Sequence, residues 1–240
     1  MKHLDIVLQK RNLSGLYASL AVKLQAFLMA NIDQKTAEHL HNKNKRTYSL
    51  FTMPQKQNII FRISLIGDEA LPLYTAAKNT RTFYVSGLDG GIDVLNTIES
   101  ENIDLDTLKS KQLSHFKMLL ASPATYIHNG SRENMFSLPS YFFSVADKLK
   151  SFHDNDIPHE SIRTLFQNVS YQNYRIQSEK YPIKRGQIIP GACGELELKF
   201  TGKPNENEAL SLLFRYAEYS GIGAKTALGM GGILIDEIGL

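Results

Sequence analysis

Residues 48–66 read Y-S-L-F-T-M-P-Q-K-Q-N-I-I-F-R-I-S-L-I, two apolar runs broken at Pro54-Gln55. Phe61, Ile63 and Leu65 recur at every second position, which places them on one face of an extended chain. The stretch predicts two strands, Tyr48 to Met53 and Asn58 to Ile66, joined by a short turn. Working outward toward the N-terminus, Leu4, Ile6 and Leu8 alternate with His3, Asp5 and Val7, a first strand. After a turn at Ser14-Gly15, Leu16, Leu20, Leu24, Phe27 and Leu28 fall at helical spacing, and residues 34–40 suggest a short second helix. Working outward the other way, residues 68–78 look helical and Thr82 to Ser86 begins another strand. Strand, helix, two strands, helix, strand is the order of a ferredoxin-like unit.

The same order recurs in the second half. A strand is predicted over His115 to Ile127, helices over Ser140 to Phe152 and Ser161 to Val169, and an extended segment over Tyr171 to Ile176. Leu196, Leu198 and Phe200 then alternate with charged residues, residues 206–219 are helical, and Gly232 to Ile238 closes the set. The expectation is an α+β protein of two tandem ferredoxin-like (RRM-like) βαββαβ domains, residues 1–112 and 113–240. No residue-level repeat accompanies the duplicated order, and such folds host many activities, so function has to be read from sites.

Composition narrows the classes. At 240 residues, with 42% apolar and 21% charged residues, the chain suits a globular protein with a sizeable core. No run approaches the roughly 20 apolar residues of a membrane span, and Met1 to Asp5 passes into strand alternation without an apolar signal region. The single cysteine, Cys193, excludes an internal disulfide and a cysteine-based zinc site. A cytoplasmic protein with no membrane partner is therefore expected. The net charge is only +3, but it is polarised. Asp89, Asp93, Glu99, Glu101, Asp104 and Asp106 form an acidic stretch, whereas Lys35, Lys43, Lys45, Arg46 and Lys56 crowd residues 33–57, and Arg175, Lys180, Lys184 and Arg185 form a second basic stretch. Such polarity can build a basic groove on a nearly neutral protein.

The segment from Ser220 reads S-G-I-G-A-K-T-A-L-G-M-G-G-I, with Gly221, Gly223, Gly229, Gly231 and Gly232 between a helix and a strand. A helix cap explains one or two of these glycines but not five. The pattern implies a loop of close backbone approach whose amides can form an anion-binding nest, with Lys225 supplying a cation for phosphate. A P-loop is excluded because Ala224 stands where glycine should precede Lys225-Thr226. The dinucleotide fingerprint fails because Thr226 replaces its third glycine.

The run E-Y-S-G-I-G-A-K-T-A-L-G-M-G closely resembles the C-terminal signature of the CRISPR-associated repeat-processing endoribonucleases, members of the wider RAMP group built from ferredoxin-like domains. Further similarity lies in I-P-G-A-C-G-E-L-E-L-K-F-T-G at 189–202 and P-S-Y-F-F-S-V at 139–145. The resemblance implies an endoribonuclease, independent of metal or other cofactor, that cuts precursor RNA within each CRISPR repeat to give guide RNAs with 2′,3′-cyclic phosphate and 5′-hydroxyl ends. It implies repeat RNA as partner, with other Cas proteins of a surveillance complex and a second copy of the chain as further partners it allows. The alternative it carries is a non-catalytic subunit that holds a guide RNA.

A histidine beside a basic loop suits this chemistry. RNA carries its own nucleophile, the 2′-hydroxyl, so the protein needs a base and cations for the phosphorane. The segment T-A-E-H-L-H followed by Y-S-L-F resembles the stretch that bears the family's catalytic histidine, and the match falls on His41, with His39 as a second candidate. Two residues apart on a helix, the two imidazoles would point about 200° apart. Lys45 resembles the family's active-site lysine after a one-residue shift, which leaves Lys43 and Arg46 open for the same place. The tyrosine that some members carry in the first long helix has no counterpart in Gln25-Ala26-Phe27-Leu28. His3, His115, His128, His153 and His159 show no metal-ligand spacing with acidic residues, and no metal is assigned.

Overall fold

The structure, a computed structural model, describes residues 1–10, 19–42, 46–128, 130–134, 136–184 and 186–238. The first half runs β1 (Lys2–Gln9), α1 (Leu20–Ala30), α2 (Gln34–Asn42), β2 (Tyr48–Pro54), β3 (Asn58–Leu65), a 3-10 turn (Asp68–Ala70), α3 (Leu71–Asn79), β4 (Thr82–Phe83), β5 (Ile92–Glu99) and α4 (Leu105–Ser110). Its sheet has the order β2-β3-β1-β5-β4. The alternation read in β1 is the reason: Leu4, Ile6 and Leu8 face Ile63, Phe61 and Ile59 across the antiparallel ladder, and all six are at most 1% exposed. Leu20, Leu24 and Leu28 of α1 close that core. Each such side chain contributes roughly 1.5–3 kcal/mol when fully buried.

The second half runs β6 (His115–Ala124), β7 (Tyr126–His128), β8 (Ser131–Glu133), α5 (Leu138–His153), α6 (His159–Gln167), β9 (Val169–Lys184), β10 (Gln187–Phe200), α7 (Pro204–Ser220) and β11 (Ile233–Glu237). The order β11-β6-β10-β9 places the unit's fourth strand beside its first, then the third, then the second. Leaving aside the short β4, the first sheet has the same order. The tandem ferredoxin-like reading therefore holds. Phe116, Phe142, Phe166 and Phe214 form a ring cluster in the second core, with centroids 4.5–5.6 Å apart. Among the described residues no helix is long and apolar enough to cross a membrane.

Three expectations need correction. The strand expected from Thr82 to Ser86 is only the two-residue β4, and the fourth strand of the unit is β5, inside the acidic stretch. Leu95 and Ile98 of β5 are more than half exposed, so no buried alternation marks the strand. The helix expected to reach Val169 stops at Gln167, because Val169 already pairs with Phe200 at the start of β9. Finally, β9 and β10 run 16 and 14 residues, well past the six-residue segments expected. Their far ends leave the main core and carry Tyr181 and Ile189 onto Met230, with Val22 of α1 packed alongside.

This hairpin ties the halves together. Another tie lies where the outer face of the first sheet meets α7. There Ser49 donates to the Tyr219 carbonyl, and Arg62 grips Asp5 through two bonds of 2.6 and 2.7 Å. His3 sits 5.6 Å from the Tyr219 ring. Burial and the nearby guanidinium push the His3 pKa down to about 4.

Candidate active site

Helix α2 is short and polar, and it sits on the first half through Leu40, its one buried residue. Asp33 starts the helix by accepting from the Thr36 amide at 2.9 Å, which holds its carboxyl below the usual range. With Leu40 turned inward, His39 and His41 diverge as the helical period requires. His39 approaches Glu69, 3.9 Å away. His41 lines a cleft of about 500 Å³, together with Arg46, Tyr48, Lys148 and Lys225; His39 is not part of that lining.

Arg46 is tied to the end of α2, where one guanidinium nitrogen, Nη2, donates to the His41 carbonyl. Carbonyls in a last helical turn have no partner within the helix, so this bond also fixes the backbone that carries the imidazole. The other terminal nitrogen, Nη1, is buried and has no hydrogen-bond partner among the described residues. Burial lowers the guanidinium's pKa from its ordinary value, yet an arginine so placed stays charged. Lys43 and Lys45 lie outside the described residues. A buried phenol of β2 also reaches the cleft: Tyr48 lines it and accepts from Gln25 Nε2 of α1 at 3.3 Å. Burial raises its pKa.

The opposite wall is the glycine-rich loop, and its amides differ from the expected open nest. The amides of Gly221, Ile222 and Gly223 donate to the carbonyls of Ala217, Gly231 and Tyr141, at 2.8, 2.8 and 3.2 Å. Those of Ala224 and Gly231 donate to Thr125 and Pro123, at 2.7 and 3.0 Å, and that of Gly232 to Ser122 Oγ at 2.8 Å. The close approach that demands glycine is to the protein itself. At Gly223, with φ at +67°, a Cβ would overlap the Thr125 carbonyl. At Gly229 it would strike the Tyr181 hydroxyl and Ala21. Lys225 is the exposed residue on this frame, and it is held with φ at +63°, a conformation that a non-glycine side chain adopts at a cost of about 1–3 kcal/mol.

Lys148 shows what holds the loop from behind. This residue of α5 is 9% exposed, and its ammonium donates to the Ser220 carbonyl and to Thr226 Oγ1 at 2.9 Å. It was missed in the sequence because a lysine reads as surface. A signal was present, since Lys148 lies three residues after Val145 and seven after Tyr141, on the helix face those buried residues define. Ser144 and Asp147 of α5 also line the cleft.

A curated protein of Streptococcus thermophilus, "CRISPR-associated endoribonuclease Cas6", is 25% identical over 232 residues, covering 91% of this chain and 92% of that protein. The family described as "CRISPR-associated endoribonuclease Cas6" matches residues 118–233. The chain resembles the Cas6 family, whose match spans just under half of it. A Cas6 of Mycobacterium tuberculosis is 20% identical, over 92% of this chain and 73% of its own length. A solved "Cas6 (TTHA0078) product complex" overlays with a TM-score of 0.78 at 18% identity, covering 99% of this chain and 100% of that one. That likeness shows the shared fold. The family match runs from β6 into β11, so it includes Lys148 and the glycine-rich loop and leaves α2 outside.

Proposed function

We propose that the chain is a metal-independent endoribonuclease that cuts CRISPR precursor RNA within its repeats, with the first 112 residues carrying the catalytic histidine and residues 113–240 the RNA-holding loop. The observation that carries this reading is the single cleft lined by His41 and Arg46 from one half and by Lys225 from the other. The Cas6 name shared by the relatives supports repeat RNA as substrate.

In this reading the His41 imidazole takes the proton from the 2′-hydroxyl upstream of the cut, a task suited to a group that titrates near neutrality. The 2′-oxygen then attacks phosphorus, the bond to the 5′-oxygen breaks, and that oxygen takes up a proton. One fragment keeps a 2′,3′-cyclic phosphate and the other a 5′-hydroxyl. Arg46 and Lys225, which both line the cleft, balance the charge that builds on the phosphorane oxygens. Lys43 and Lys45 belong to the same basic segment and share the phosphate-binding role. Gly221, Gly223, Gly229 and Gly231 serve RNA binding by fixing the frame on which Lys225 stands.

The test uses repeat RNA from the host's own array. Cleavage should proceed in excess chelator, and mass spectrometry of the upstream fragment should show the cyclic phosphate. A repeat with one 2′-deoxy nucleotide at the mapped cut site should bind yet stay intact. A strict need for a divalent ion, or normal cutting of the deoxy substrate, would sink the mechanism.

A further inference from the structure

Beside the cleft of His41 and Lys225 lies a second one of about 370 Å³, between α5, α6 and β7. The two share Ile127, Ser144, Asp147, Gly223 and Ala224 in their linings, so a chain lying in one can continue into the other. The second cleft has a feature the first lacks. The His159 imidazole lies flat on the Phe143 ring, with centroids 4.3 Å apart and planes inclined by 11°. Asp147 Oδ1 fixes the imidazole from the side, 3.2 Å from Nε2. The Arg163 guanidinium sits 4.9 Å from the centre of the same Phe143 ring and is held by Glu160 at 2.9 Å.

One face of the imidazole is covered by Phe143, yet the His159 side chain keeps 46% of its exposure, so its other face meets solvent. A flat, oriented ring with one covered and one open face, beside a cation, is the surface on which an unpaired base stacks. Ile127, 57% exposed where the two clefts meet, adds apolar area between the two places. Two one-turn spacings explain the assembly: Phe143 and Asp147 are one turn apart on α5, and His159 and Arg163 one turn apart on α6, so the two helix faces present their groups together.

We propose that His159, backed by Phe143, is a stacking platform for one unpaired nucleobase of the bound RNA, next to the cleavage cleft. The proposal rests on the RNA-cleaving reading above and adds a place where a flanking nucleotide is held by its base, not by its phosphate. It predicts a contact that tolerates different bases, because every base offers a π-face, and that leaves the salt dependence of binding unchanged, because no phosphate charge is neutralised.

The experiment takes repeat RNA with a 2′-deoxy nucleotide at the cut site and 2-aminopurine at one flanking position at a time. Bound to the unmodified protein, the probe at one position should lose emission severalfold relative to its neighbours. His159→Ala should abolish that loss and weaken binding about tenfold, within the range of a single base stack, with the salt slope kept. His159→Phe should retain both the quenching and the affinity. If His159→Ala leaves emission at every position and affinity as in the parent, the platform is refuted while RNA binding stands. If the parent protein binds no repeat RNA, the cleavage reading itself fails, and the platform falls with it before any variant is compared.

Discussion

The two walls of the cleft are built in opposite ways. On one side α2 rests on a single buried leucine, with its histidines exposed and its end tied by the Arg46 guanidinium. On the other, the glycine-rich loop has its amides bonded to β6 and the segment after it, to α5, to α7 and within itself, and the buried Lys148 ammonium braces it from below. The difference teaches what each wall can offer a ligand. On α2 the side chains are open to a ligand and few contacts depend on them. In the loop most of the chain is committed to holding itself, and Lys225 is what it presents.

That contrast can be tested by asking whether activity and stability separate. The largest effect should come from the lightly held wall. His41→Ala should lower the single-turnover cleavage rate by roughly 10²-fold or more, the scale of a general base, with melting temperature and repeat-RNA affinity close to the parent. Equal losses in rate and stability would mean that α2 is structural after all. Next comes the rigid wall, where Gly223→Ala should reverse the pattern. The added methyl meets the Thr125 carbonyl at a positive φ, so stability should fall by about 2 kcal/mol, read by denaturant unfolding. Affinity should then decline only as the folded loop is lost. A stable Gly223→Ala protein with poor RNA binding would instead return the loop backbone to direct RNA contact. The smallest effect belongs to Lys225→Ala, which should leave folding intact, weaken binding severalfold and flatten the salt dependence by about one charge. An unchanged slope would take Lys225 off the phosphates.

The same contrast explains how much of the molecule was legible beforehand. Where burial on one face dictates residue type, as in β1 and β3, the period-2 pattern located the strands, and β2, buried on both faces at its start, was read as an apolar run. β5 escaped because a strand with an exposed face needs no such pattern. The extended ends of β9 and β10 escaped because they pack on the other half of the molecule, a contact between residues far apart in sequence. The divergence of His39 and His41 followed from helical geometry alone. The glycines announced a close approach, but not to what: only the positions of Thr125, Tyr181 and Ala21 reveal that the neighbour is the protein. Lys148 was hidden by its charge, since a buried lysine is uncommon unless it is paired.

The anchors of the glycine-rich loop have a consequence for the order of events in the cell. Ala21, Pro123, Thr125, Tyr141, Lys148 and Tyr181 all precede residues 221–232 in the chain, so every surface on which the loop closes is synthesised before the loop itself. Domains tend to fold in that same direction during translation. The His41 wall can therefore form while its partner wall has not yet been made, and a nascent chain holds half a cleft. On the proposed reading of the cleft, cutting competence arrives only after residues 221–232 have been synthesised.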